Sequence, residues 1–98
     1  MTTMTMQRQA LFPLGQTVIT PACLEEVLTC GETPSRYLHQ HQHGEWGDLG
    51  AEDKAENDLS VQQGYRILSA YVLPNGKRIY VITEHDRSVT TLLLVSQY

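Results

Sequence analysis

Two kinds of apolar spacing divide the chain. Between Pro21 and Gln63 the apolar residues recur at three- and four-residue intervals, and beyond Arg66 they crowd into β-rich runs broken by polar turns. Ahead of both, residues 17–20 (Thr-Val-Ile-Thr) form a short β-branched run that predicts an edge strand. Thr20-Pro21 then supplies an N-cap and a first-turn proline, Leu24, Val27 and Leu28 follow at helical spacing, and Gly31 ends the helix. Thr33-Pro34 repeats the start signal, with Tyr37, Leu38 and His41 on one face before Gly44. A third helix is expected from about Ala51 to Gln63, with Asp48 as its cap and Gly64 as its stop. Its apolar residues, Ala51, Ala55 and Leu59, are few, which places it on the surface.

The last third predicts a three-stranded meander: residues 66–73, 78–84 and 89–95. Asn75-Gly76 is the preferred central pair of a two-residue type I′ hairpin, and residues 85–88 read as a four-residue turn. Those loops set Val72 opposite Ile79, Tyr71 opposite Tyr80, Val81 opposite Leu92 and Glu84 opposite Val89. One face then carries Leu68, Ala70, Val72, Ile79, Val81, Thr83, Thr90, Leu92 and Leu94, and needs covering by the helices. The other mixes Ile67, Ser69, Tyr71, Leu73, Arg78, Tyr80, Ile82, Glu84, Thr91 and Leu93. Tyr71 beside Tyr80 on that mixed face is a candidate contact surface for a partner or a second copy, because tyrosine offers apolar area and a polar tip together. The expected fold class is α+β: a short N-terminal strand and two to three helices on one face of a three- to four-stranded antiparallel sheet. Residues 11–98 form the single domain, and residues 1–10 a disordered tail.

Composition narrows the function. Ninety-eight residues suit one modest core, and a net charge of −4 argues against a general nucleic-acid backbone binder. It suits a soluble protein or one that docks on a basic partner surface. Cys23 and Cys30, seven residues apart, are too distant for a disulfide if one helix holds both, so they read as reduced, half-buried side chains. The first ten residues hold one Arg and no apolar run, which predicts neither a leader nor a membrane anchor and points to the cytoplasm.

Candidate chemistry concentrates between His39 and Asp58, where three of the four histidines, the only Trp and six of the eleven acids fall. On a helix His39 and His43 share a face at i and i+4, a weak metal pair that lacks a third ligand, and no metal or other cofactor is expected. Trp46, between Gly44 and Gly47, reads first as a plug whose N–H reaches a carboxylate or carbonyl, with both glycines in tight or left-handed backbone. The alternative is a loop presenting Glu45, Trp46 and Asp48 to a partner, with Glu52, Asn57 and Asp58 extending the acidic ridge. A catalytic alternative gathers Glu84, His85, Arg87, Arg66 (expected across from His85) and His41: a carboxylate, an imidazole and a guanidinium for metal-independent RNA cleavage. Helices first and a meander last is the order of barnase- and RelE-like nucleases, a likeness of topology alone. No phosphate loop or nucleophile-elbow motif is present.

Several segments together have a familiar pattern: residues 44–49 (Gly-Glu-Trp-Gly-Asp-Leu), 51–54, 57–58, 66–71, 81–84, 86–88 and 90–94. From about Leu14 onward the chain resembles a small family of bacterial proteins labelled plasmid-related or, loosely, type I restriction subunits. A chain of this length has no room for a methyltransferase fold, so the restriction label does not carry over. The resemblance implies a setting in bacterial mobile elements and assigns no activity. The expectation is a small non-catalytic binding or regulatory module with a protein partner, a host-defence component being one candidate. A ribonuclease and a structural homodimer are the alternatives.

Overall fold

The computed structural model describes residues 9–98, and the expected tail falls almost wholly outside them. Strand β1 (Gln16–Ile19) leads into helices α1 (Pro21–Thr29), α2 (Pro34–Gln42) and α3 (Ala51–Gln63), followed by strands β2 (Ile67–Val72), β3 (Arg78–Thr83) and β4 (Val89–Leu94). A 3₁₀ turn, Val95–Gln97, brings the chain to Tyr98. The fold is α+β. Its four-stranded sheet has the order β1-β4-β3-β2. The sheet is mixed rather than purely antiparallel, because β1 runs parallel to β4. A β-branched run does not encode direction. Direction is set where Thr20-Pro21 turns the chain out of the sheet and into α1, with the Thr20 hydroxyl accepting from the Cys23 N–H at 3.2 Å.

The β2–β3 hairpin differs from expectation by one residue, and that residue decides both faces. Tyr71 pairs with Ile79 and Val72 with Arg78. The loop therefore has three residues, 74–76, closed by Gly76 N–H to Leu73 C=O (2.8 Å) and Leu73 N–H to Lys77 C=O (2.7 Å). Pro74 is the physical reason. A two-residue loop would put it in the ladder, where it has no N–H to give, whereas its fixed φ suits the first turn position. Gly76, at φ 90°, then takes the left-handed step that completes a type I turn with a bulge. The β3–β4 register is as expected, with Val81 opposite Leu92 and the Glu84 N–H bonded to Val89 C=O.

The slip turns β2 over. Ile67, Ser69, Tyr71 and Leu73 share the helix-covered face with Ile79, Val81, Thr83, Thr90, Leu92 and Leu94, while Leu68, Ala70 and Val72 join Arg78, Tyr80 and Ile82 on the other face. Tyr71 and Tyr80 therefore lie on opposite faces. Tyr71 is core, its ring 5.3 Å from that of Tyr37 and its hydroxyl donating to Glu45 C=O at 2.6 Å. Their paired contact surface does not form.

Two apolar clusters hold the helices on the sheet. The larger packs Cys23 and Val27 of α1 and Tyr37 of α2 on Tyr71, Leu73, Ile79, Val81 and Leu92. The smaller joins Phe12, Trp46 and Ile67, with Leu14, Leu49 and Val61 against them. Both cysteines are free, Cys23 buried and Cys30 partly so, and burial pushes the Cys23 thiol up to about 11. α3 lies along the β2 edge. Asp48 does not cap it: the N-cap position is Gly50, and Asp48 instead gives its N–H to Ala70 C=O at 2.6 Å.

Candidate functional site

Trp46 reaches the structure by the structural route. It is 4% exposed, its Nε1–H donates to Asp58 at 3.0 Å, and its ring stacks on Phe12. The presentation of Trp46 to a partner is thereby excluded. Both flanking glycines are left-handed, at φ 82°. A side chain on Gly47 would meet the Ala70 carbonyl and the Tyr71 ring, so this loop can lie against β2 only with glycine there.

Holding that loop on β2 leaves a cleft of about 520 Å³ beside it, on the sheet face away from α1 and α2. Asp48, Leu49 and Gly50 form one wall, α3 contributes Asp53, Glu56 and Asn57, and Leu68, Arg78 and Tyr80 are the sheet side. The α3 contribution follows from helical spacing. Asp53, Glu56 and Asn57 stand at i, i+3 and i+4 and share one side, which buried Asn57 fixes against β2 by bonding both the N–H and the C=O of Leu68 (3.2 and 2.7 Å). Three carboxylates thus face one guanidinium. Arg78 reaches Asp48 at 3.4 Å, with both side chains about half exposed, so the pair is solvent-screened and holds little energy. The cleft keeps two negative charges in excess. Tyr80 is steadied by Tyr98, whose ring meets it edge-on at 5.3 Å and is itself covered by Arg66, which donates to the Tyr98 hydroxyl at 2.7 Å.

Of the acidic ridge singled out in the sequence, Asp48 lines this cleft and Asp58 is spent on Trp46. Glu45 sits beside the cleft loop, with its carbonyl bound by Tyr71. Tyr80 lines the cleft without Tyr71. Asp53, Glu56, Leu68 and Arg78 were not singled out. The i, i+3 pair on a helix with a thin apolar stripe was the available signal; the β2 register needed to oppose them to Leu68 was not.

The catalytic alternative is not brought together. His41 is fully buried, with Nδ1 2.6 Å from Ser69 Oγ and Nε2 2.9 Å from Thr83 Oγ1. Thr83 Oγ1 meets Thr90 Oγ1 at 2.7 Å, and Thr90 donates to Leu14 C=O at 2.7 Å. That carbonyl can only accept, so it orients the chain. Thr90 gives its proton to Leu14, Thr83 gives to Thr90, and His41 Nε2–H gives to Thr83, leaving Nδ1 to accept from Ser69. Burial, with the Arg87 charge adding to it, pulls the imidazole down to about 3 and keeps it neutral. Arg87, at φ 61°, donates to the carbonyls of Ser60, Tyr65, Glu84 and His85 and covers the Phe12 ring. It ties the end of α3 to the β3–β4 turn. The slipped register also carries Arg66 from its expected place across from His85 to Glu84, and its guanidinium to Tyr98. Hydrogen bonding from Ser88, first through its hydroxyl and then its N–H, holds the Asp86 carboxyl below the usual range, and the N–H bond closes the segment as an Asx turn.

The His39 and His43 rings stack at 4.1 Å, and His43 Nδ1–H donates to His39 C=O at 2.7 Å. Among the described residues no group of three or more His, Cys, Asp or Glu side chains is placed to hold a metal. Among them, too, no helix is long and apolar enough to cross a membrane. No protein-family model, curated protein or solved structure matches the chain.

Proposed function

We propose that this chain is a non-catalytic binding module that receives a lysine- or arginine-bearing segment of a partner protein in the cleft between α3 and the open sheet face. The carrying observation is the cleft itself. Its volume, about 520 Å³, falls in the range of ligand clefts, and its wall opposes Asp48, Asp53 and Glu56 to one half-exposed Arg78. Tyr80 at its base offers a ring face to a cation. Leu68 and Leu49 offer apolar surface to the methylene stem that carries the charge. The resemblance to plasmid-related proteins adds bacterial mobile elements as the setting and a host-defence protein as one class of partner.

The test uses a short arginine-containing peptide of net positive charge as probe, titrated into the ¹⁵N-labelled chain. Shifts are expected at residues 48–57, Leu68, Arg78 and Tyr80, weakening as salt rises. Asp53→Lys with Glu56→Lys should abolish them, while Glu25→Lys on α1 leaves them intact. Shifts spread evenly over the surface, or insensitive to the double substitution, sink the reading.

A further inference from the structure

The two edges of the sheet are finished differently. At β2, Ala70 exchanges backbone hydrogen bonds with Trp46 and Asp48, and the Asn57 amide takes both backbone groups of Leu68. At the other end β1 is the last strand, and no described residue pairs with its outer edge. Gln16 and Thr20 turn their N–H groups inward, to Ser88 and Leu92 C=O. Strand alternation then points the N–H and C=O of Thr17 and Ile19 outward. Residues 16–20, Gln-Thr-Val-Ile-Thr, contain no charge and no proline, the usual means by which an exposed edge repels another strand.

Apolar surface accompanies this edge. Val18 on β1 is 38% exposed and Leu28 on α1 is 54% exposed. α1 turns Glu26 toward the β2–β3 hairpin, where it binds Asn75 and Lys77, and Cys30 packs against the core that includes Tyr37 of α2. At about 100° per residue, Leu24 and Leu28 fall on the flank of the helix opposite Glu26.

We propose that β1 pairs antiparallel with β1 of a second copy of this chain, about a two-fold axis through Val18. Thr17 exchanges both backbone hydrogen bonds with the partner's Ile19, and the two-fold repeats the exchange, so every outward group of the edge is satisfied. Val18 meets its symmetry mate as the close, non-hydrogen-bonded pair, with Cα atoms about 4.5 Å apart. An uncharged strand is its own complement in this arrangement, and a two-fold contact closes without leaving a new edge. Residues 16–20 carry no charge with which to select an unrelated peptide, whereas a second copy brings an identical uncharged strand and a second exposed Val18. The β2 edge needs its Trp46–Asp48 and Asn57 guards for the same reason: it has no mate.

Size-exclusion with light scattering on the full chain is expected to read twice the 11.1 kDa chain mass. Val18→Lys and Val18→Glu, each placing like charges across the axis, should run as monomers with an unchanged far-UV circular dichroism spectrum. Mixed in equal amounts they should recover the dimer. Val18→Cys should crosslink under mild oxidation, since the close pair lies within disulfide reach, and Leu59→Cys on α3 should not. The cleft variant Asp53→Lys with Glu56→Lys should remain dimeric, so loss of peptide binding and loss of the dimer are separate results. A wild-type chain that is monomeric at every concentration overturns the proposal. So does a dimer that survives both charge variants, or a mixture that stays monomeric.

Discussion

At the residue scale the most constrained side chain is His41. It is fully buried, and every hydrogen-bonding group around it is spent in one chain that ends on the Leu14 carbonyl. That direction predicts the Nε2–H tautomer, which long-range ¹H–¹⁵N spectra read directly; a protonated Nδ1 would contradict it. The same burial makes His41 a source of acid sensitivity. Folded, the imidazole protonates only near 3, while the unfolded chain takes up the proton below the ordinary 6.5. The unfolded state thus binds more protons through that window. Stability is full above about pH 6.5 and falls as the pH drops, by up to about 1.4 kcal/mol per pH unit. Denaturant titrations at pH 7 and about pH 5.5 should show the loss, and His41→Gln should remove most of the slope while lowering stability at both. An unchanged slope in the variant would assign the acid limb to other groups. The sequence marked His41 on the inner face of α2 beside Tyr37 and Leu38, but its partners come from β2 and β3, and Thr83 in turn bonds Thr90 of β4. No local pattern announces that hydroxyls from two separate strands converge on one ring and that a third strand's hydroxyl extends the chain.

At the element scale the helices and β3–β4 were legible because their signals are local: caps, prolines, glycine stops and a four-residue turn. The face of β2 was not, because one proline outweighed the Asn-Gly pair and moved the loop by one residue, and a strand's side-chain period of two turns that single residue into a reversal. α3 was legible as a surface helix, yet its function in the fold runs through a polar residue, Asn57, that an apolar count passes over. Asn57→Ala should leave the N–H and C=O of Leu68 without partners and cost about 2–3 kcal/mol by denaturant titration, with faster amide exchange concentrated at Leu68. Arg87→Ala should be at least as costly, since it strips a charged donor from carbonyls that end α3 and open β2. Its exchange signature differs, appearing at the end of α3 and in the β3–β4 turn. If Arg87→Ala proves neutral, the guanidinium is not what ties these elements together.

At the scale of the whole molecule, the polar chain through His41 lies between the two apolar clusters. Phe12 and Trp46 of the smaller cluster set their rings edge-on to His41 at 5.2 and 6.0 Å. Ser69 and Thr83, its hydrogen-bond partners, sit on the same sheet face as Tyr71, Ile79 and Val81 of the larger cluster. Neither cluster can open without exposing or unpairing that chain, and an unsatisfied buried polar group costs more than its bond contributes. The segment before β1 closes the arrangement, since Leu11 N–H bonds Gln42 C=O, the Gln42 amide bonds Phe12 C=O, and Leu14 accepts from Thr90. The molecule should therefore unfold as one unit despite having two apolar centres. Trp46 fluorescence reports the smaller cluster and far-UV circular dichroism the helices and sheet, and the two transitions should superimpose. Phe12→Ala should shift both together by about 3–5 kcal/mol, the cost of emptying a buried aromatic site. If instead the fluorescence transition moves alone, the clusters melt independently, and the hydrogen-bonded chain through His41 is a consequence of their packing and not the link between them.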